Sequence, residues 1–210
     1  MSSALIVQGG WEGHEPKQVA EILAGWLREN QFTVTVSDTL DSFKDEEQLR
    51  SQDLIIPIWT MGSITREQLN PLLAAGRSGV GLAGLHGGTG DAFRNETEYQ
   101  YMVGGQWVAH PGGAEMTYTV NICDHNHPIT AGVNDFQVTS EQYYMHVDPG
   151  NNVLATTTFA NGVVMPAVWT RMYGEGRVFY CSVGHVAKDL SIPEMRTIMT
   201  RGMLWAARKQ

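Results

Sequence analysis

The chain has 210 residues, a formal net charge of -8, and a composition 42% apolar and 17% charged. That length and apolar content suit one sizeable globular domain, spanning 1–210, with a large core. The acidic balance excludes nucleic acid and anionic membrane as partners, since both require a basic face. Met1-Ser2-Ser3 runs straight into an apolar strand with no basic leader and no long apolar stretch. A cytoplasmic protein that does not span a membrane is therefore expected. The two cysteines, Cys123 and Cys181, suit a reducing compartment, and both read as small core residues.

Residues 4–7 (ALIV) form a short apolar strand that ends at Gly9-Gly10. A loop follows, and Pro16 sits where it opens a helix. Val19, Ile22, Leu23, Trp26 and Leu27 then recur at helical spacing, with Asn30 as the stop. Residues 32–36 (FTVTV) alternate and are β-branched, which predicts a second strand. A polar helical turn over 45–50 precedes a third, buried strand at 53–59 (DLIIPIW). Leu69, Leu72 and Leu73 mark a helix over 65–75, opened by a Thr65/Gln68 capping box. The fourth strand, 79–86, has no period-2 pattern, so both of its faces should be buried. Its run then breaks into Gly87-Gly88-Thr89-Gly90, where Thr89 or Asp91 is placed to cap a helix reaching about Tyr101.

Strands alternating with helices at this spacing predict an α/β fold with a parallel, doubly wound sheet. Such sheets bind ligands beyond the carboxyl ends of their strands, which puts His14, Trp59 and His86 on one rim. The second half is strand-rich. Residues 115–122, 136–140 and 153–159 alternate, and 167–172 and 177–183 read as a hairpin joined by 173–176. An amphipathic helix over 193–207 closes the chain.

Gly84-Leu85-His86-Gly87-Gly88 has the G-x-nucleophile-x-G shape of a strained elbow, with histidine where serine or cysteine normally sits. Of seven histidines, four stand beside glycine or proline at the end of an extended run: His14, His86, His110 and His185. Imidazoles converging from strand ends can ligate a metal or move protons near neutral pH. Glu141, also at a strand end, can act as base, ligand or orienter. Trp11, Trp59, Tyr143 and Tyr144 offer faces for a sugar ring. His125-Asn126-His127 looks like a metal clip, but Asp124, Asn126 and Pro128 make it a solvated turn. Gly79-x-Gly81-x-x-Gly84 matches the dinucleotide fingerprint by letter only, because its glycines fall within the strand, and no lysine follows to hold a phosphate. No nucleotide cofactor is expected. There is no Gly-x-Ser-x-Gly, and neither cysteine occupies an elbow.

Several motifs resemble the ThuA-like family: GLHGG at 84–88, Gly104-Gly105-Gln106-Trp107 leading to His110-Pro111, and His127-Pro128-Ile129-Thr130-Ala131-Gly132. Glu141-Gln142-Tyr143 belongs to the same series, as do the run 166–171 (PAVWTR), the run 174–180 (GEGRVFY) and Gly184-His185. The resemblance implies a flavodoxin-like three-layer sandwich with a mostly parallel central sheet, similar to class I glutamine amidotransferases. It also implies carbohydrate metabolism, commonly linked to 3-keto sugars. The position of the amidotransferase cysteine is His86 here, so glutaminase chemistry should be absent. The expected enzyme acts on a sugar or 3-keto-sugar derivative by isomerisation, elimination or hydrolysis. His86, Glu141 and His185 are its catalytic candidates, and Trp11, Trp59, Tyr143 and Tyr144 contact substrate. His14, His86 and His110 are the candidate ligands of a divalent metal such as zinc. The alternative is a non-catalytic sugar-binding or regulatory protein on the same scaffold. The partner is a small carbohydrate, and the exposed tryptophans and methionines make a homodimer unsurprising.

Overall fold

The computed structural model of the protein describes residues 2–208; Met1, Lys209 and Gln210 of the expected span lie outside the described residues. In chain order the first half contains β1 (Ser3–Gly10), α1 (Pro16–Glu29), β2 (Thr33–Ser37), α2 (Glu46–Ser51), β3 (Leu54–Thr60), α3 (Arg66–Arg77) and β4 (Gly81–Leu85). Next come α4 (His86–Gly90), α5 (Thr97–Val103), β5 (Gly105–Ala109), β6 (Thr117–Ile122), β7 (Phe136–Thr139) and β8 (Tyr144–Val147). The chain ends with β9 (Asn152–Thr158), β10 (Val164–Tyr173), β11 (Gly176–Cys181) and α6 (Pro193–Ala206).

The strand order β2-β1-β3-β4-β11-β10-β9-β6-β7 makes one large sheet with two characters. From β2 to β11 every neighbouring pair is parallel, and from β11 to β7 every pair is antiparallel. The α/β sandwich is therefore present, with a mixed sheet. In β1, Ala4 and Ile6 face one apolar layer while Leu5 and Val7 face the other, so the strand is buried on both sides. The first layer packs against α1 and α6. The second packs against α3 and α5.

The Thr65/Gln68 capping box is present, and the β10–β11 hairpin turns at Gly174-Glu175. Two local expectations change, and one strand pairing is new. α4 starts at His86 itself with no side-chain cap. Thr89 instead donates to Pro57 O (2.7 Å) and accepts from Leu85 N (3.2 Å), stitching the elbow to β3. Cys123 is exposed because it follows β6 into the solvated turn, whereas Cys181 is buried in the sheet. β5 and β8 pair with each other outside the main sheet, a long-range register that alternation alone does not encode. Among the described residues, no helix is long and apolar enough to cross a membrane.

Candidate metal centre

The site lies beyond the carboxyl ends of the parallel strands. β1 leads into the short turn Glu12–His14, which delivers a buried His14. Thr60, at the end of β3, holds that ring through Oγ1···Nδ1 at 2.7 Å. β4 ends at Leu85, and His86 follows with φ 42°, the left-handed backbone expected of the elbow. Gly87 has to be glycine, because a Cβ there would collide with the His14 ring and stand 2.6 Å from the Tyr143 hydroxyl. Among the described residues, Glu15, Gln31, Met61, His86 and Phe93 are the non-glycines with positive φ, and all but Gln31 adjoin this region. Strain of that kind persists only where surrounding structure fixes it.

Glu141 and His185 arrive from the antiparallel half. The Ser140 hydroxyl donates to buried Asp189 (2.7 Å) and accepts from the His185 amide (3.4 Å). Tyr118 donates to the Glu141 carbonyl at 2.9 Å. Glu15 then binds the Ala187 amide (2.9 Å), joining the His14 turn to the segment after His185.

Three imidazoles meet one carboxylate oxygen. Glu141 Oε2 lies 3.2 Å from His86 Nε2, 3.3 Å from His185 Nδ1 and 3.8 Å from His14 Nε2. Four donors on bonds of about 2.0–2.1 Å would stand about 3.3–3.4 Å apart around a tetrahedral ion. His86 fixes the chemistry. Its Nδ1 is 2.7 Å from Ser182 O, which can only accept, so Nδ1 carries the proton and Nε2 presents a lone pair to an ionised carboxylate. Such a contact needs a shared proton or a cation between the two acceptors. Burial drags His86 to about 4, which disfavours the proton. Desolvation pushes Glu141 upward, but the favourable electrostatics of the three imidazoles crowding its carboxylate outweigh that and hold it well below the usual carboxylate range. His185 Nδ1 is buried without a hydrogen-bond partner despite its proximity to Glu141. An ionised carboxylate, a neutral His86 and an orphaned ring nitrogen fit a divalent ion, and His14, His86, Glu141 and His185 could hold one.

A cavity of about 220 Å³ opens beside this cluster, lined by Trp11, His14, Met61, Asp91, Arg94, Trp107, His110, Glu141 and Tyr143. Tyr143 stacks on His86 with ring centroids 3.8 Å apart, and burial raises its phenol well above 10. His110 faces the other carboxylate oxygen, its Nε2 3.8 Å from Glu141 Oε1, and its side chain is 40% exposed.

A protein-family model described as ThuA, trehalose utilisation, matches residues 3–206. The chain belongs to the ThuA family. That membership places it in a family named for carbohydrate use. Its fold is shared by a ThuA-like protein from Parabacteroides merdae ATCC 43184, at 19% identity and TM-score 0.78, covering all of this chain (100%) and 92% of that one. A ThuA-like protein from Bacteroides uniformis ATCC 8492 gives 17% identity and TM-score 0.80, covering 98% and 91%. A cold-adapted β-galactosidase from Rahnella sp. R3 contains a similar fold in 30% of its length, with 98% of this chain covered, 17% identity and TM-score 0.66. No curated protein sequence matches significantly.

Of the residues singled out in this ThuA sequence, His14, His86, His110, Glu141 and His185 converge, and Trp11 and Tyr143 line the cavity beside them. The third imidazole of the four-group cluster is His185, with His110 across the carboxylate from it. Trp59 and Tyr144 are elsewhere. The Trp59 ring lies over the Gly9 backbone, and Tyr144 packs on Phe159. Thr60, Ser182, Ser140 and Asp189, which position the cluster, escaped sequence reading because each acts through a contact distant in sequence. Asp91 and Arg94 escaped it too, although their i,i+3 spacing was a visible signal.

Proposed function

We propose that this protein is a metal-assisted enzyme acting on a small neutral sugar or its 3-keto derivative. The observation that carries the reading is Glu141 Oε2 set against three imidazoles, one of them fixed by Ser182 with its lone pair inward. His14, His86, His185 and Glu141 would hold the ion, and a nitrogen–oxygen donor set of this kind suits zinc. A divalent ion bound there supplies Lewis-acid polarisation of a carbonyl, or a water of lowered pKa. Thr60 and Ser182 orient His14 and His86, leaving the cavity-facing His110 free to take and return a proton. Isomerisation and elimination of a keto sugar both begin by removing a C–H proton beside the carbonyl, the task assigned to His110. Tyr143, neutral and stacked on His86, blocks water from that side of the ring.

The test is turnover of 3-keto glucosides by metal-replete protein. His110→Ala should lower turnover about 100- to 10,000-fold while keeping its metal, as expected for loss of a general acid–base. His86→Ala should lose metal and turnover together. Undiminished turnover in both variants would reject the metal-assisted mechanism at this site, and bound sugar without turnover in the wild type would favour a binding protein.

A further inference from the structure

Away from the histidine cluster, the same cavity has a wall that the metal reading does not use. Asp91 is 4% exposed and is gripped in parallel by Arg94, Nε to Oδ1 at 2.6 Å and Nη2 to Oδ2 at 2.8 Å. The Arg94 guanidinium lies 4.6 Å from the centroid of the Trp107 ring. The pair is thus held by two hydrogen bonds and a cation–π stack before any ligand arrives. Its backbone is braced as well: Met61 donates to Asp91 O (2.9 Å) and Phe93 donates to Met61 O (3.1 Å), with positive φ at both Met61 and Phe93.

The parallel grip leaves chemistry over. Each Asp91 oxygen keeps a lone pair, and Arg94 Nη2 keeps its second hydrogen beside Oδ2, so an acceptor and a donor stand side by side in one plane. Neighbouring hydroxyls on a sugar ring present that pattern in reverse, one oxygen donating and the next accepting. Trp11, 46% exposed at the cavity wall, and Trp107 add apolar faces that suit the C–H surfaces of such a ring. The cavity, about 220 Å³, has the volume of roughly seven waters at ~30 Å³ each, which suits one sugar ring rather than two. Arg94 is already charge-compensated by Asp91, and Glu141 lines the same space. A carboxylate or phosphate reaching Arg94 would therefore also meet Asp91.

We propose that Asp91 and Arg94 are the specificity-determining residues of this site, selecting a single uncharged sugar ring through a pair of vicinal hydroxyls; the inference rests on the carbohydrate reading above. It predicts that neutral hexoses bind and that sugars bearing an anionic group gain nothing from Arg94.

The experiment is a tryptophan-fluorescence titration of metal-replete, full-length protein with D-glucose, D-galactose, D-mannose, D-glucuronate and glucose 6-phosphate. At least one neutral hexose should bind more tightly than either anionic sugar. Arg94→Ala and Asp91→Asn should each weaken that hexose at least about tenfold, and Arg94→Lys should not restore it, because an ammonium cannot reproduce the planar fork. Metal content should be unchanged in all three variants, since neither residue belongs to the four-group cluster. Tighter binding of glucuronate or glucose 6-phosphate would overturn the proposal, as would unchanged hexose affinity in Asp91→Asn, which preserves shape should Arg94→Ala unfold. Bound metal with no hexose binding would overturn this inference and leave the metal-site reading standing.

Discussion

Two regions of this molecule carry closely placed histidines, and only one of them is built to use them. His125 and His127 stand two residues apart after β6, a spacing that looks like a metal clip, yet they sit in a turn open to solvent. Asp124 there is occupied in accepting the Asn126 and His127 amides, and His127 Nδ1 accepts from the Ile129 amide. His14, His86 and His185 are far apart in sequence, but strand ends bring them to a single carboxylate oxygen. Each ring is aimed by its surroundings: Thr60 on His14, Ser182 on His86, and the Ser140–Asp189 bond beside His185. Ligand-like spacing in sequence is therefore a weaker signal than convergence with a second layer of hydrogen bonds.

Substitutions separate the two regions. The largest effect should come from Glu141→Gln, which keeps the shape and removes the charge that all three imidazoles face. Turnover on a keto sugar should fall about 100- to 10,000-fold with the fold intact by circular dichroism. Retained turnover would mean that the convergence is structural only.

A change of pH should separate the regions next. His86 titrates near 4 in the folded protein against an ordinary 6.5, because burial disfavours its charged form. Above pH 6.5 the ring is neutral in both folded and unfolded chains, so stability does not depend on it there. Between 6.5 and 4 only the unfolded chain takes the proton, so metal-free protein should lose on the order of 3 kcal/mol across that window. Glu141, lowered as well, adds to the loss at more acid pH. Denaturant unfolding at stepped pH should show the decline, and His86→Gln should flatten it between pH 6.5 and 4. An unchanged slope in that variant would assign the acid sensitivity elsewhere.

A smaller effect tests the aiming of the rings. Thr60→Val removes the partner of His14 Nδ1 and should weaken metal binding about 10- to 100-fold. Competition with a fluorescent zinc chelator would read this, and unaltered affinity would show that Thr60 merely fills space. The smallest effect belongs to the solvated turn. The double variant His125→Ala, His127→Ala should leave metal affinity unchanged and stability within about 0.5 kcal/mol of wild type by denaturant titration.

Much of this was legible in the chain. The order of strands and helices through β4 followed from apolar runs and their punctuation, and Gly84-Leu85-His86-Gly87-Gly88 marked a strained elbow, although the left-handed residue is His86 itself and not the glycines after it. His14, His86, Glu141 and His185 were visible because each ends an extended run. The β10–β11 hairpin was legible, but the parallel pairing of β11 with β4 was hidden, since a long-range neighbour leaves no local pattern. So was the difference between Trp59, which covers Gly9, and Trp11, which lines the cavity: both are tryptophans near glycines on one rim. The Asp91–Arg94 pair lay in the segment assigned to helix capping, where local rules gave the aspartate another job.

On the reading proposed above, convergence, and not sequence spacing, makes the metal site. Elemental analysis of protein purified without an affinity tag or chelator tests it most directly, comparing wild type, His86→Ala and the His125→Ala, His127→Ala double variant. About one divalent ion per chain is expected in the wild type and the double variant, and none in His86→Ala. A metal-free wild type, or an ion lost from the double variant and kept by His86→Ala, would contradict it.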